Sequence, residues 1–234
     1  MRLEVDSVRF EPFVVYFRLR APVMLNHPWL HFDGVLAHLL RLERDGRAFY
    51  ALPAKEVVRS STQEIFQILR TTENVFHASV SFFSEPKRIG SAQYYKRFEE
   101  NRCPARRKIN LGSGRYRNWM LRGVVVAADH CYFYSCGKID RIAQLLHHLP
   151  ALGDNTRIGF GAIHSWHIER LPHDRSLVWQ GRAMRPIPVR LLESYSEAVR
   201  LAWRPPYWGA ESIDLCAPPE TEVRLRGAVH RRAK

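Results

Sequence analysis

Cysteine is scarce in this chain of 234 residues: four, at positions 103, 131, 136 and 216. They are too few and too scattered for a disulfide scaffold, and they suit a reducing compartment. No Cys-x-x-Cys pair occurs. Cys131 and Cys136 stand five apart in an aromatic run that reads as strand, Cys131-Tyr-Phe-Tyr-Ser-Cys136. An odd spacing sends them to opposite faces, so no metal site is expected. No run approaches 18 apolar residues, which excludes a bilayer-spanning helix. Residues 1–6 carry Glu4 and Asp6 and no apolar signal core, so a cytoplasmic protein is expected. Gly-Lys-Ser/Thr is missing as well. The one glycine-rich stretch follows a helix instead of preceding one, which removes nucleotide-hydrolase and dinucleotide readings. No cofactor is expected.

Acidic residues are the other shortage. There are 23 against 36 Lys and Arg, a net charge of +13, with a sequence pI near 10.1. At 46% hydrophobic the chain has the material for a core. A folded domain this basic meets a polyanion.

Periodicity orders the elements. Residues 12–20 alternate, with Phe13, Val15, Phe17 and Leu19 on one face and Arg18 and Arg20 on the other. Phe32, Val35, Leu36, Leu39 and Leu40 space a helix over 32–44, ended by Asp45-Gly46. A short strand at 48–52 and a helix within 54–70 follow, then strands at 75–83, 124–127 and 131–135. Ile139, Ile142, Leu145, Leu146 and Leu149 mark a second amphipathic helix before Pro150, and a strand is expected over 158–168. The order is that of an α+β ferredoxin-like (RRM-like) β-α-β-β-α-β fold. Residues 1–180 form this domain, with 85–121 as a hairpin inserted between its inner strands. Residues 181–234 form an extension rich in Pro, Arg and aromatics. Its Trp203, Tyr207 and Trp208 are expected to pack on the domain or on a partner.

The insertion concentrates the charge. From Lys87 to Arg122 eleven Lys and Arg stand against only Glu99 and Glu100, nine of the thirteen net positive charges. Lys87, Arg88, Lys96, Arg97, Arg106, Arg107, Lys108, Arg115, Arg117 and Arg122 supply cations for phosphates. Tyr116 and Trp119 supply flat faces for bases, the pairing that single-stranded nucleic acid requires. Tyr94, Tyr95 and Phe98 fit base stacking and packing onto the body equally well. Leu111-Gly-Ser-Gly114 suits a hairpin tip. A membrane role lacks an apolar stripe beside the charge.

The second cluster is Leu152-Gly-Asp-Asn-Thr-Arg-Ile-Gly-Phe-Gly161. Here Gly153 reads as a helix cap, and Gly159 and Gly161 as points of close backbone approach. Equally, Gly159, Phe160 and Gly161 without bulky Cβ atoms would admit an RNA backbone, with Arg157 adding charge.

Taken in order, these stretches resemble the RAMP superfamily of CRISPR–Cas proteins, and within it the Cas-five-like subunit of type IV systems, Csf-three. The similarity rests on His27-Pro-Trp-Leu-His-Phe-Asp-Gly-Val-Leu-Ala-His38, Arg157-Ile-Gly-Phe-Gly-Ala162, Met184-Arg-Pro-Ile-Pro188 and Pro205-Pro-Tyr-Trp208. It implies a RAMP fold whose thumb is about residues 85–121 and whose glycine loop is 153–161. It implies a non-catalytic subunit that caps the 5′ repeat-derived tag of a guide crRNA in the prokaryotic cytoplasm. Its partners would be a Cas-seven-like backbone subunit, the type IV large subunit and, near the protospacer-adjacent end, target DNA.

Two alternatives stand beside this. Some relatives of the fold cleave precursor RNA with a histidine base, and His31, just before the first helix, is the candidate here. His27 and His38 flank it, and His147, His148, His164 and His167 form no recognisable constellation. A stand-alone RNA-binding protein would carry the same basic hairpin. The charge pattern makes one quantitative prediction. Replacing Arg106, Arg107 and Lys108 together lowers RNA affinity for every sequence, and flattens the plot of log K against log salt by about 0.7 per lost phosphate contact. An unchanged slope in a filter-binding salt series removes those residues from the contact list.

Overall fold

The computed structural model describes residues 9–46, 63–98 and 110–227. The strand expected at 48–52, and most of the 54–70 segment, lie outside them. In chain order the elements are β1 (Glu11–Leu19), β2 (Val23–Leu25), α1 (Phe32–Asp45), α2 (Gln63–Phe66), β3 (Thr71–Thr72), β4 (Val75–Phe76), β5 (Phe82–Phe83), β6 (Arg88–Lys96), β7 (Trp119–Ala127), β8 (His130–Gly137), α3 (Ile139–Leu146) and β9 (Ile163–Arg170). The fold is α+β. Its main sheet runs β5-β8-β1-β9 with every neighbour antiparallel. These strands and the two longer helices alternate along the chain as strand, helix, strand, strand, helix, strand.

The alternation in β1 explains its place. Phe13, Val15 and Phe17 are fully buried on the helix-facing side, against Phe32, Leu36 and Leu39 of α1 and Ile142, Leu145 and Leu146 of α3. Phe32 stacks on Phe133 of β8 at 5.1 Å and meets Phe13 edge-on at 6.3 Å. Each such side chain removed from water contributes about 1.5–3 kcal/mol. Gly46, at φ +54°, ends α1. The second helix stops at Leu146, short of the expected Leu149. There the N–H groups of His148 and Leu149 bond back to Leu145 and Leu146, a tightened final turn.

Two expected strands differ. The segment 75–83 is broken. Phe76 pairs with Thr71, Ala78 bridges Ser135, Val80 bridges His31, and only Phe82–Phe83 joins the main sheet. Its backbone groups are shared out among several neighbours, so no single ladder runs through it. The strand expected from 158 begins at Ile163, because Thr156–Ile158 forms a 3-10 turn flanked by left-handed Asn155 and Gly159.

The C-terminal region, read from the sequence only as a Pro-, Arg- and aromatic-rich extension, builds a second core. Strands β10 (Val178–Trp179), β11 (Arg182–Ala183), β12 (Ile187–Pro188), β13 (Leu192–Tyr195), β14 (Val199–Ala202), β15 (Ile213–Ala217) and β16 (Val223–Leu225) form small sheets. Between them they bury Leu177, Ile187, Leu192, Trp203 and Cys216 together with Val75. Two polar joints tie this region to the main body. In one, His77 lies between Asp174 (Nδ1 to Oδ2, 2.5 Å) and Thr72 (Nε2 to Oγ1, 2.8 Å). In the other, Arg185 is fully buried. It donates to the Phe76 and Ala78 carbonyls at 2.6 and 2.9 Å, to Trp203 O at 2.6 Å and to Asp33 Oδ2 in α1 at 3.1 Å. Tyr207 donates its hydroxyl to the other Asp33 oxygen at 2.6 Å.

Among the described residues no helix is long and apolar enough to cross a membrane, and no three His, Cys, Asp or Glu side chains gather as metal ligands. Arg185→Met strands the Asp33 carboxylate without its cation and is expected to destabilise the fold by about 3–5 kcal/mol. Urea unfolding checks it. A midpoint shift equivalent to less than about 1 kcal/mol would show that the buried ion pair does not hold the two regions together.

Candidate nucleic-acid interface

The basic insertion is a hairpin that leaves the body as β6 and returns as β7, paired from Arg88↔Ala127 out to Lys96↔Trp119. At its root β7 also pairs with β2, so the hairpin continues a three-stranded sheet. Directly opposed residues share a face. Arg88, Gly90, Ala92, Tyr94 and Lys96 therefore lie on one face with Trp119, Leu121 and Gly123. On the other face are Ile89, Ser91, Gln93 and Tyr95 with Met120, Arg122 and Val124.

The first face turns toward the glycine loop. Tyr94 meets Phe160 edge-on at 5.9 Å. Asn155 Nδ2 donates to Met24 Sδ at 3.0 Å, and Met24 fills the space over Gly123, where a Cβ would fall 2.0 Å from its Cε. Gly123 thus lets Met24 of β2 lie against the hairpin. Tyr94 is packed against a neighbour, whereas Tyr95, on the opposite face, is 75% exposed.

Most of the residues expected to contact RNA are brought to this hairpin and loop. Arg88, Lys96, Arg97, Arg117 and Arg122 are exposed along it. Arg122 donates weakly to Ser91 Oγ at 3.4 Å, and Lys87 is ion-paired with Glu85 at 3.0 Å. Tyr116 and Trp119 are both partly open, and Tyr116 packs edge-on against Phe98 at 5.0 Å. Arg106, Arg107 and Lys108 lie outside the described residues, and Arg115 is described only as part of the turn Gly114–Tyr116.

Within the glycine loop, Arg157 and Gly159 are exposed. Gly161, at φ +63°, sits where a Cβ would come 1.8 Å from Leu152 O, so close backbone approach is its reason. Gly159 is left-handed with open space around it. Gly153 is no helix cap: it lies beyond the end of α3, pressed against the Met24 carbonyl. The Asp154 N–H then donates to that same carbonyl at 2.8 Å.

His31 occupies the N-cap position of α1. Its ring stacks on Tyr207 at 3.9 Å, and Nδ1 is buried with no hydrogen-bond partner. Burial pushes its pKa down to about 4, with Asp33 opposing and Arg185 and His27 adding to the depression. His147 packs edge-on against Trp166 at 5.1 Å, and His167 stacks on Tyr16 at 5.0 Å.

Sequence reasoning missed Asp33, Met24, Asn155 and Arg185 as organisers of this region, while Tyr207, expected to pack on the domain or on a partner, turns inward onto Asp33. Arg185 and Tyr207 lie within Met184-Arg-Pro-Ile-Pro188 and Pro205-Pro-Tyr-Trp208, stretches that stand out from the sequence without showing which side chain turns inward.

The geometry defines a class: a basic α+β protein that presents a two-faced hairpin beside a glycine loop. The family model for CRISPR type IV associated protein Csf3 matches residues 51–219, and the chain belongs to that family. No curated protein matches it.

The depressed pKa of His31 has a measurable consequence. The unfolded chain protonates this histidine near 6.5 and the folded chain only near 4. Stability is therefore full above about pH 6.5 and falls as the pH drops toward 4, by up to about 3 kcal/mol from this group. Urea unfolding of wild type and His31→Phe across that range should differ by this slope. Parallel curves would place His31 in a solvated setting.

Proposed function

We propose that this chain is the guide-holding subunit of a type IV CRISPR effector complex, gripping the 5′ repeat-derived tag of crRNA without cutting it. The observation that carries the reading is the basic β6–β7 hairpin, seated on the glycine loop through Tyr94 and Phe160 in a member of the Csf3 family. The strand order of the main sheet supports a ferredoxin-like, RAMP-type body. RNA phosphates run along Arg88, Lys96, Arg97, Arg117, Arg122 and Arg157, and bases stack on Tyr116 and Trp119. A Cas-seven-like backbone subunit and the large subunit flank this surface.

The setting of His31 supports a holding role over a cutting one. A general base works best with a pKa near the working pH and within reach of the 2′-hydroxyl. A ring stacked on Tyr207 with a pKa near 4 does not meet the first condition.

The test mixes the protein with tagged guide RNA and an untagged control over a salt series, on native and denaturing gels. Tag-preferring, salt-sensitive binding with intact RNA is expected. A discrete cut in precursor RNA that disappears in His31→Ala would make the protein a nuclease. Binding that ignores the tag would reduce it to a general RNA binder.

A further inference from the structure

A cleft of about 720 Å³ opens between the start of α1, the loop that follows α3 and the C-terminal segment around Tyr207. Its volume is in the range of small-molecule sites. Among the described residues no Lys or Arg lines this cleft, in a chain that carries 36 of them. Its walls are largely apolar and aromatic, with Trp29, Leu39, Leu149 and Trp208 among them; His27, His31, His38 and His148 add imidazoles and Asp154 a carboxylate. A phosphate would meet no described Lys or Arg there and would be repelled by Asp154. The cleft is suited to a flat, neutral, hydrogen-bonding group.

Two observations point to an occupant. His31 lines the cleft, and its Nδ1 is buried and has no hydrogen-bond partner among the described residues. A polar atom left so costs about 1–3 kcal/mol unless something bonds to it. Trp208 also lines the cleft, yet it is 68% exposed, a large aromatic surface with nothing covering it. Gly153, Asp154 and Thr156 of the glycine loop form one wall, so a strand crossing that loop passes the mouth, with Arg157 next along the chain.

We propose that this cleft receives one unpaired nucleobase of the bound RNA. The base stacks on Trp208, its edge bonds to His31 Nδ1, and its phosphate stays outside with the glycine loop. The inference rests on the guide-holding reading and adds a base-specific position to it. The imidazole, held neutral by burial, presents Nδ1 as a single donor or acceptor, so the pocket distinguishes bases by their edges.

The experiment moves a single abasic site, one nucleotide at a time, through the tag of the guide RNA and measures affinity by fluorescence anisotropy at fixed salt. In the wild type one position is expected to lose about tenfold or more, the worth of one stacked base. In Trp208→Ala, an exposed substitution, intact RNA loses a similar factor and the scan becomes flat. His31→Phe keeps the stack on Tyr207 and should lose the preference among bases at that one position. Salt slopes stay unchanged in both variants, because no phosphate contact is removed. A flat scan in a wild type that still binds tagged RNA overturns the cleft alone. A sensitive position that persists in both variants places the base elsewhere and also overturns it. Failure to bind RNA at all overturns the guide-holding reading, and the cleft with it.

Discussion

One buried guanidinium holds this architecture together. Arg185 enters from the C-terminal region, has no exposed surface, and is met by three backbone carbonyls and the Asp33 carboxylate. Removing a charge this far from water is costly, and only dense hydrogen bonding with an opposite charge offsets it. That condition makes the contact specific. It is met only when the start of α1, the broken 75–83 segment and the chain near Trp203 arrive together. The same condition explains why 75–83 is not a single strand, since the Phe76 and Ala78 carbonyls are committed to Arg185. Tyr207, bonded to the same Asp33, is placed over His31 and closes one side of the cleft.

Charge is segregated in the result. The hairpin carries most of the described cations of the insertion on two faces of a twisted ribbon. The cleft behind the glycine loop, by contrast, is lined by no Lys or Arg among the described residues. Between them, β2 meets the hairpin where Met24 covers Gly123, and the glycine loop meets it where Phe160 packs against Tyr94. Two different chemistries lie in adjacent places: exposed cations on the hairpin and a largely apolar slot in the cleft. The histidine most suggestive of catalysis in the sequence is instead part of the wall between the two regions.

Much of the body was legible in the sequence. The alternation of Phe13, Val15 and Phe17 and the spacing of Phe32, Leu36 and Leu39 each commit one face to a core. That commitment depends only on local geometry. The basic insertion was equally plain, because Lys and Arg without acidic neighbours stay in solvent. Where local and tertiary demands competed, the reading slipped. The apolar 75–83 run looked like one strand. The Pro-rich C-terminal region looked extended, because prolines obscure the short ladders on which its core is built.

The sequence by itself determined the α+β order, the helix faces and the concentration of positive charge, since each follows from the character and spacing of residues near one another in the chain. Only the tertiary structure decided that Arg185 would pair with Asp33 across 152 positions, that Tyr207 would cover His31, and that a largely apolar cleft would open beside the glycine loop. Burial is a property of the whole packed chain. No local pattern announces which charged or polar side chain will have its partners supplied from a distance.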